Sequence, residues 1–193
     1  MVKKQIEAPT LFFPSQKEFK KWLHKNHGTP EGIWLKFAKK ASGISSITPE
    51  EALEVALCYG WIDGQRKPVD ENYYINRYTP RRKTSLWSKR NCEIAERLIA
   101  SKQMQPSGMK EIKAAREDGR WENAYNSSKN MEIPSDFLER IKQFKKAHTF
   151  FKTLNKANTF AIAFRLQTAK KPETREKRML KILEMMKRGE KFY

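Results

Sequence analysis

Arg77, Arg81, Arg82, Lys83, Lys89 and Arg90 all fall within Asn72–Cys92, a run that contains no Asp or Glu. Tyr73, Tyr74, Tyr78 and Trp87 are interleaved with them. Arginine forks grip phosphates and carboxylates bidentately, and rings offer stacking faces, so this mixture suits an anionic small molecule, a single strand or an acidic group. Just upstream, Trp61, Asp63 and Gln65 alternate as residues sharing one face of a strand, with Arg66 beside them. Two roles are open to Asp63: a general base, or the counter-ion that orients Arg81 or Arg82. Neighbouring arginines hold a carboxylate ionised and make it a poor base near neutrality, which favours orientation. Ser85 and Ser88 flank Trp87 where a helix should begin, with Asn91 one turn further. A serine there caps the helix, or its amides take up an anion while Lys89 and Arg90 add charge. The competing reading makes the rings core and pairs the arginines with acids elsewhere.

Other chemistry finds less support. Cys58 sits at the carboxyl end of a predicted helix, where the dipole disfavours a thiolate, and it reads as a small buried hydrophobe. His24 and His27 lack a carboxylate or cysteine at ligand spacing, and His148 lies on an apolar stripe, so no metal is expected. With no Walker loop, dinucleotide glycine pattern or nucleophile elbow in the sequence, no cofactor is expected either.

The elements that would position these residues can be read from pattern. Ser15 followed by Glu18 reads as a capping box, opening a helix with Phe19, Trp22 and Leu23 on one face that ends near Gly28. Gly32–Ala38 alternates as a strand with Ile33, Leu35 and Phe37 or Ala38 inward, and Lys39–Gly43 is its exit turn. Thr48-Pro49-Glu50-Glu51 starts a second helix, which Gly60 ends. Trp61–Lys67 and Asn72–Thr79 read as two strands joined around Pro68–Asp70. Helices are predicted over Ser88–Ser101, Pro106–Asp118, Pro134–Phe151, Ala157–Thr168 and Pro172–Arg188. Phe137, Ile141, Phe144, His148 and Phe151 form one apolar stripe, and Met179, Ile182, Leu183 and Met186 another. The fold class is therefore α+β: a small antiparallel sheet with packed helices, followed by an all-helical carboxyl-terminal half. Asn126–Asn130 is the best internal boundary, dividing residues 1–125 from 126–193.

At 193 residues the chain can bury a sizeable core. Forty Lys and Arg against twenty-two Asp and Glu give a net charge of +18, which favours an anionic partner. Residues 140–172 carry nine Lys or Arg and no acid, and read as solvated helix faces over an apolar stripe. Nucleic-acid binding through that surface is expected to be weak. Two cysteines supply no disulfide framework, and no stretch has the length of a membrane span or the apolar core of a signal peptide. A cytoplasmic protein without membrane insertion is expected.

The segment Ala52-Leu53 through Cys58-Tyr-Gly-Trp-Ile-Asp-Gly-Gln65, with Tyr78-Thr-Pro-Arg-Arg82, Ser85-Leu-Trp-Ser-Lys89 and Asn91, resembles the bacterial YdeI/OmpD-associated family. Later pieces agree: Pro106-Ser-Gly-Met109, Asp118-Gly-Arg-Trp121, Ala124-Tyr125, and Ala169-Lys170 with Glu173-Thr-Arg175. The resemblance spans nearly the whole chain. It implies a bacteriocin- or antimicrobial-peptide-protection role, a helical OmdA-like segment at the carboxyl end, and no known reaction. Direct capture of a cationic peptide sits poorly with the positive charge of this chain. The expected function is thus a stress- or bacteriocin-protection protein that binds an anionic ligand in a groove lined by Trp61, Asp63, Gln65, Arg66, Tyr78, Arg81, Arg82, Ser85, Trp87, Ser88 and Asn91. The alternatives are an enzyme acting on a small phosphorylated or carboxylated substrate in that groove, or a non-specific nucleic-acid-binding protein.

Overall fold

A computed structural model of the chain describes residues 8–126 and 131–193. The polar segment expected as the boundary, Asn126–Asn130, lies outside the described residues apart from Asn126. The chain divides into two compact units, Met1–Trp87 with Asn91–Asn123, and Ser88–Arg90 with Ala124–Tyr193.

In the first unit the elements run β1 (Thr10–Phe12), α1 (Gln16–Asn26), β2 (Ile33–Ala38), α2 (Pro49–Cys58), β3 (Trp61–Pro68) and β4 (Tyr73–Pro80). The helices α3 (Lys89–Ala100) and α4 (Pro106–Glu117) follow. The sheet order is β1-β2-β4-β3, with β2–β4 and β4–β3 antiparallel and β1 parallel to β2. The fold class is α+β as expected, but the sheet is mixed. Leu11-Phe12-Phe13 is too short to signal a strand by periodicity, and only its pairing with β2 makes β1 one.

Local chemistry accounts for the helix starts. Ser15 Oγ accepts from the Glu18 amide, and at α2 the reciprocal box is complete: Thr48 accepts from the Glu51 amide while Glu51 accepts from the Thr48 amide. Helix α2 ends at Gly60, whose φ of 76° an L side chain rarely adopts. At Gly108 the α4 backbone comes so close to the end of α2 that an added Cβ would lie 2.8 Å from the Leu57 carbonyl oxygen. The core between sheet and helices holds Phe19, Leu23, Ile33, Leu35, Phe37, Leu57 and Trp61.

The second unit is helical: α5 (Ser135–Lys142), α6 (Lys145–Phe151), α7 (Lys156–Gln167) and α8 (Pro172–Lys187). Its core gathers Phe137, Ile141, Ala147, Ile162, Leu166, Met179, Ile182, Leu183 and Met186. The single helix predicted over Pro134–Phe151 is two, because Phe144 leaves helical dihedrals at φ −117° and ψ 88°. The break turns Ala147 into the core and leaves His148 half-buried. No glycine or proline marks it, so packing rather than propensity sets it. Asn158, fully buried, accepts from the Phe192 amide at 2.8 Å and from the Tyr193 amide at 3.2 Å.

Candidate functional site

Strand alternation and one bulge decide where the predicted site residues go. In β2, Ile33, Leu35 and Phe37 are buried, while Trp34, Lys36 and Ala38 face outward half-exposed. Residues opposite one another in an antiparallel pair share a face, so Tyr78, Asn76 and Tyr74 join the inner side through Ile33, Leu35 and Phe37. Trp61 and Asp63 of β3 stand opposite Pro80 and Tyr78, on the same inner side. Between Asp63 and Arg66 the register shifts, leaving Gly64 and Gln65 against Arg77 alone. Such a bulge reverses the alternation. Arg66 therefore follows Trp61 and Asp63 on the inner side, and Gln65 does not share their face as expected.

Trp61, Tyr78 and Trp87 are 0, 1 and 2% exposed. Trp61 Nε1 donates to the His27 carbonyl at 2.8 Å, and its ring meets Trp22 edge-on. Tyr78 packs against Phe19 and Phe37, and burial, followed by the charge of Asp63, pushes its hydroxyl far above the ordinary tyrosine range. These rings are core and do not line a solvent-facing groove. Large apolar area on the inner side of a one-layer sheet is worth more buried than exposed.

Arg81 needs a similar correction. It is 6% exposed, its guanidinium lies 3.5 Å from the Trp87 ring centroid, and Nη1 donates to the Leu86 carbonyl at 3.1 Å. Trp87 packs on Trp121 at 4.8 Å, and Arg116 lies 5.0 Å from the Trp121 ring. The result is a four-member stack, Arg81–Trp87–Trp121–Arg116. Buried Arg120 locks its rim by donating to Asp118 at 2.7 Å and to the Ser85 carbonyl at 3.0 Å. Arg81 thus holds the loop together from within, while Arg82 stays exposed, its amide bonded to Ser85 Oγ at 2.9 Å. Asn91 is buried on α3. Ser88, in the second unit, forms an isolated bridge with Tyr125. The Lys89 amide donates to the Tyr125 carbonyl at 2.9 Å, so this amide is not open to an anion.

Both cysteines are buried and free, and burial raises each thiol to about 11, ahead of smaller effects from nearby charges. Among the described residues no three His, Cys, Asp or Glu gather as metal ligands, and no helix is long and apolar enough to cross a membrane.

One feature of the first unit has little counterpart in the sequence pattern. A cleft of about 720 Å³ opens between the chain following β2, the start of α2, and the inner side of β3 and β4. Lys39, Lys40, Arg66 and Tyr74 line it, together with Ile44 and Ser45, and Glu50 is the one acid among its lining residues. The Arg66 guanidinium lies 3.6 Å from the Tyr74 ring centroid. Lys39 Nζ is held 2.8 Å from the Asp70 carbonyl. Only the bulge brings Arg66 here, since strict alternation from Trp61 and Asp63 would put it on the opposite side of the sheet.

A small mixed sheet covered on one side by helices, followed by a helical unit, with a cleft flanked by cations, defines a basic α+β protein. Comparison with family models makes this specific. The chain belongs to the family described as Domain of unknown function (DUF8412), whose model matches residues 11–111. Residues 130–189 match the model described as Bacteriocin-protection, YdeI or OmpD-Associated, the family that the sequence motifs resemble. That match covers the carboxyl-terminal part alone, whereas most of the motifs carrying the resemblance lie within or just beyond the first matched segment. The second match suggests a function related to bacteriocin protection. No curated protein and no solved structure matches the chain.

Proposed function

We propose that the chain is a protective binding protein that captures a small anion, a carboxylate or phosphate ester with an apolar portion, in the cleft beside Arg66. The observation that carries this reading is the charge of the cleft: Lys39, Lys40 and Arg66 against Glu50, around a volume in the range of small-molecule sites. The ring of Tyr74 fixes one face of the Arg66 guanidinium and leaves its planar edge to pair with a carboxylate or phosphate. The hydroxyls of Ser46 and Thr48 are already committed to Ile47 and Glu51, so Lys40, Ser45 and Arg66 supply the directional contacts. Ile44, Ile47 and Pro49 give the ligand an apolar wall. Protection then acts by sequestering an anion rather than by contact with a cationic peptide, which a chain of net charge +18 repels. We place this activity in a reducing cytoplasm, in keeping with two free buried thiols.

Native mass spectrometry of the chain purified without added ligand tests the proposal. An anionic adduct is expected on the wild type, and its loss in Arg66→Ala with an unchanged melting temperature. An adduct that persists in Arg66→Ala and in Lys40→Ala, or none on the wild type, refutes it.

A further inference from the structure

The outer side of the same sheet has a composition that its packing does not account for. Cross-strand pairing places Trp34 opposite Arg77, Lys36 opposite Ile75, and Ile75 opposite Lys67, all facing away from the core. Phe12 of β1 pairs with Lys36 and meets Tyr73 edge-on at 6.2 Å. Three rings and three cations thus share one face, and none of the strand positions on that face is acidic. An outward sheet face normally alternates to small polar residues, because rings there stay in contact with water. Here Phe12 is 41% exposed, and Trp34 and Tyr73 are half-exposed.

The cations sit on the rings. Lys36 Nζ lies 3.8 Å from the Tyr73 centroid, Lys67 Nζ 4.5 Å from that of Trp34, and the Arg77 guanidinium 5.6 Å from Trp34. Arg77 donates to the Glu31 carbonyl, and its Nη1, itself buried, meets no hydrogen-bond partner among the described residues. Burial, and then the charge of Arg82, lowers its proton affinity. Trp34 and Tyr73 stand about 13 Å apart along the strand direction, four residues at ~3.3 Å each. Four-stranded sheets that bind RNA use aromatic side chains on an open face to stack two or three bases.

We infer that the outer face of the sheet binds single-stranded nucleic acid, with bases stacking on Trp34 and on the Phe12–Tyr73 pair while Lys36, Lys67 and Arg77 neutralise the backbone. Duplex is excluded by the same geometry, because its bases are stacked on one another and offer no free ring face. Lysines resting on rings are easily drawn aside by a phosphate, which exposes the ring beneath to a base. The surface is separate from the cleft of Arg66, which lies on the inner side, so either can fail without the other.

Fluorescence anisotropy of the full chain with a labelled oligo(dT) or oligo(rU) of about 12 nucleotides, a length several contacts can span, tests this. Trp34→Ala and Tyr73→Ala should each weaken binding roughly 5- to 150-fold, the usual cost of losing one stacked base. The slope of log affinity against log salt should be about −2, three single-strand phosphate contacts at ~0.7 each. Lys36→Gln with Lys67→Gln should flatten that slope, and Lys145→Gln with Lys146→Gln should not. Trp34→Phe keeps a stacking face and should retain most of the affinity, which covers the case of a poorly folded Trp34→Ala. The inference is overturned if the wild type ignores the oligonucleotide, if a duplex of equal length binds as tightly, or if Trp34→Ala, Tyr73→Ala and the Lys36→Gln/Lys67→Gln double variant all bind like wild type. Loss of binding to anionic vesicles, rather than to oligonucleotide, in those variants overturns it in favour of a lipid surface.

Discussion

Arg81→Ala is the substitution whose effect the structure dictates most directly. The sequence pattern groups Arg81 with Arg82 as exposed ligand-gripping cations, for which replacement costs little stability. The structure instead puts Arg81 inside, stacked 3.5 Å from the Trp87 ring centroid and bonded to the Leu86 carbonyl. A desolvated cation–π contact contributes about 2 kcal/mol, and a charged donor's hydrogen bond about 1.5–3 kcal/mol. Both offset the one cost of burying the guanidinium, so the net loss on truncation is about 3 kcal/mol. At roughly 2–4 °C per kcal/mol for a chain of this size, the midpoint should fall by about 6–12 °C. Arg82→Ala, at an exposed position, should stay within about 0.5 kcal/mol of wild type. Thermal unfolding followed by far-ultraviolet circular dichroism reads both. The near-ultraviolet signal should also change in Arg81→Ala alone, because Trp87 and Trp121 are coupled at 4.8 Å. Arg81→Met should recover the packing but not the bond, and fall between. A midpoint for Arg81→Ala within about 1 °C of wild type, or an Arg82→Ala effect of equal size, refutes the stack as a stabilising element.

Two further outcomes can be checked alongside. Gly108→Ala should destabilise by about 1–2 kcal/mol although alanine is the better helix former, because the added methyl meets the Leu57 and Cys58 carbonyls and the Met104 sulfur; Gly28→Ala, with nothing within 4 Å, is the neutral control in chemical denaturation. Cys58 and Cys92 should resist a thiol reagent in the native state and react on unfolding. Their folded thiols ionise near 11 against 9.0 ordinarily, so their stabilising contribution is full below pH 9.0 and is lost as pH rises toward 11, measurable as a falling midpoint.

Much of the fold was legible because it rests on local chemistry. The caps at Thr48 and Ser15, the alternation of Gly32–Ala38 and the paired strands around Pro68–Asp70 each depend on residues within a few positions of one another, although the reciprocal capping box expected at Ser15 is found at Thr48 instead. The apolar stripe of α8 is legible for the same reason: Met179, Ile182, Leu183 and Met186 follow the helical period and are all buried. What the sequence by itself determined was therefore the order and type of elements and the presence of an acid-free, aromatic, cationic stretch. Which side of the sheet each cation occupies was decided only by tertiary structure. A bulge after Asp63 adds one residue to β3, and one residue is enough to exchange faces for everything beyond it. Strand β1 exists because β2 offers its edge, and α5 and α6 separate at Phe144 without a glycine or proline to announce it. The rings of Trp61, Tyr78 and Trp87 look identical in sequence to those of Trp34 and Tyr73. They differ because long-range pairing buries the first three against α1 and the Trp121 stack and turns the other two to the outer face, and burial is a property of the assembled layers that no spacing within one strand encodes.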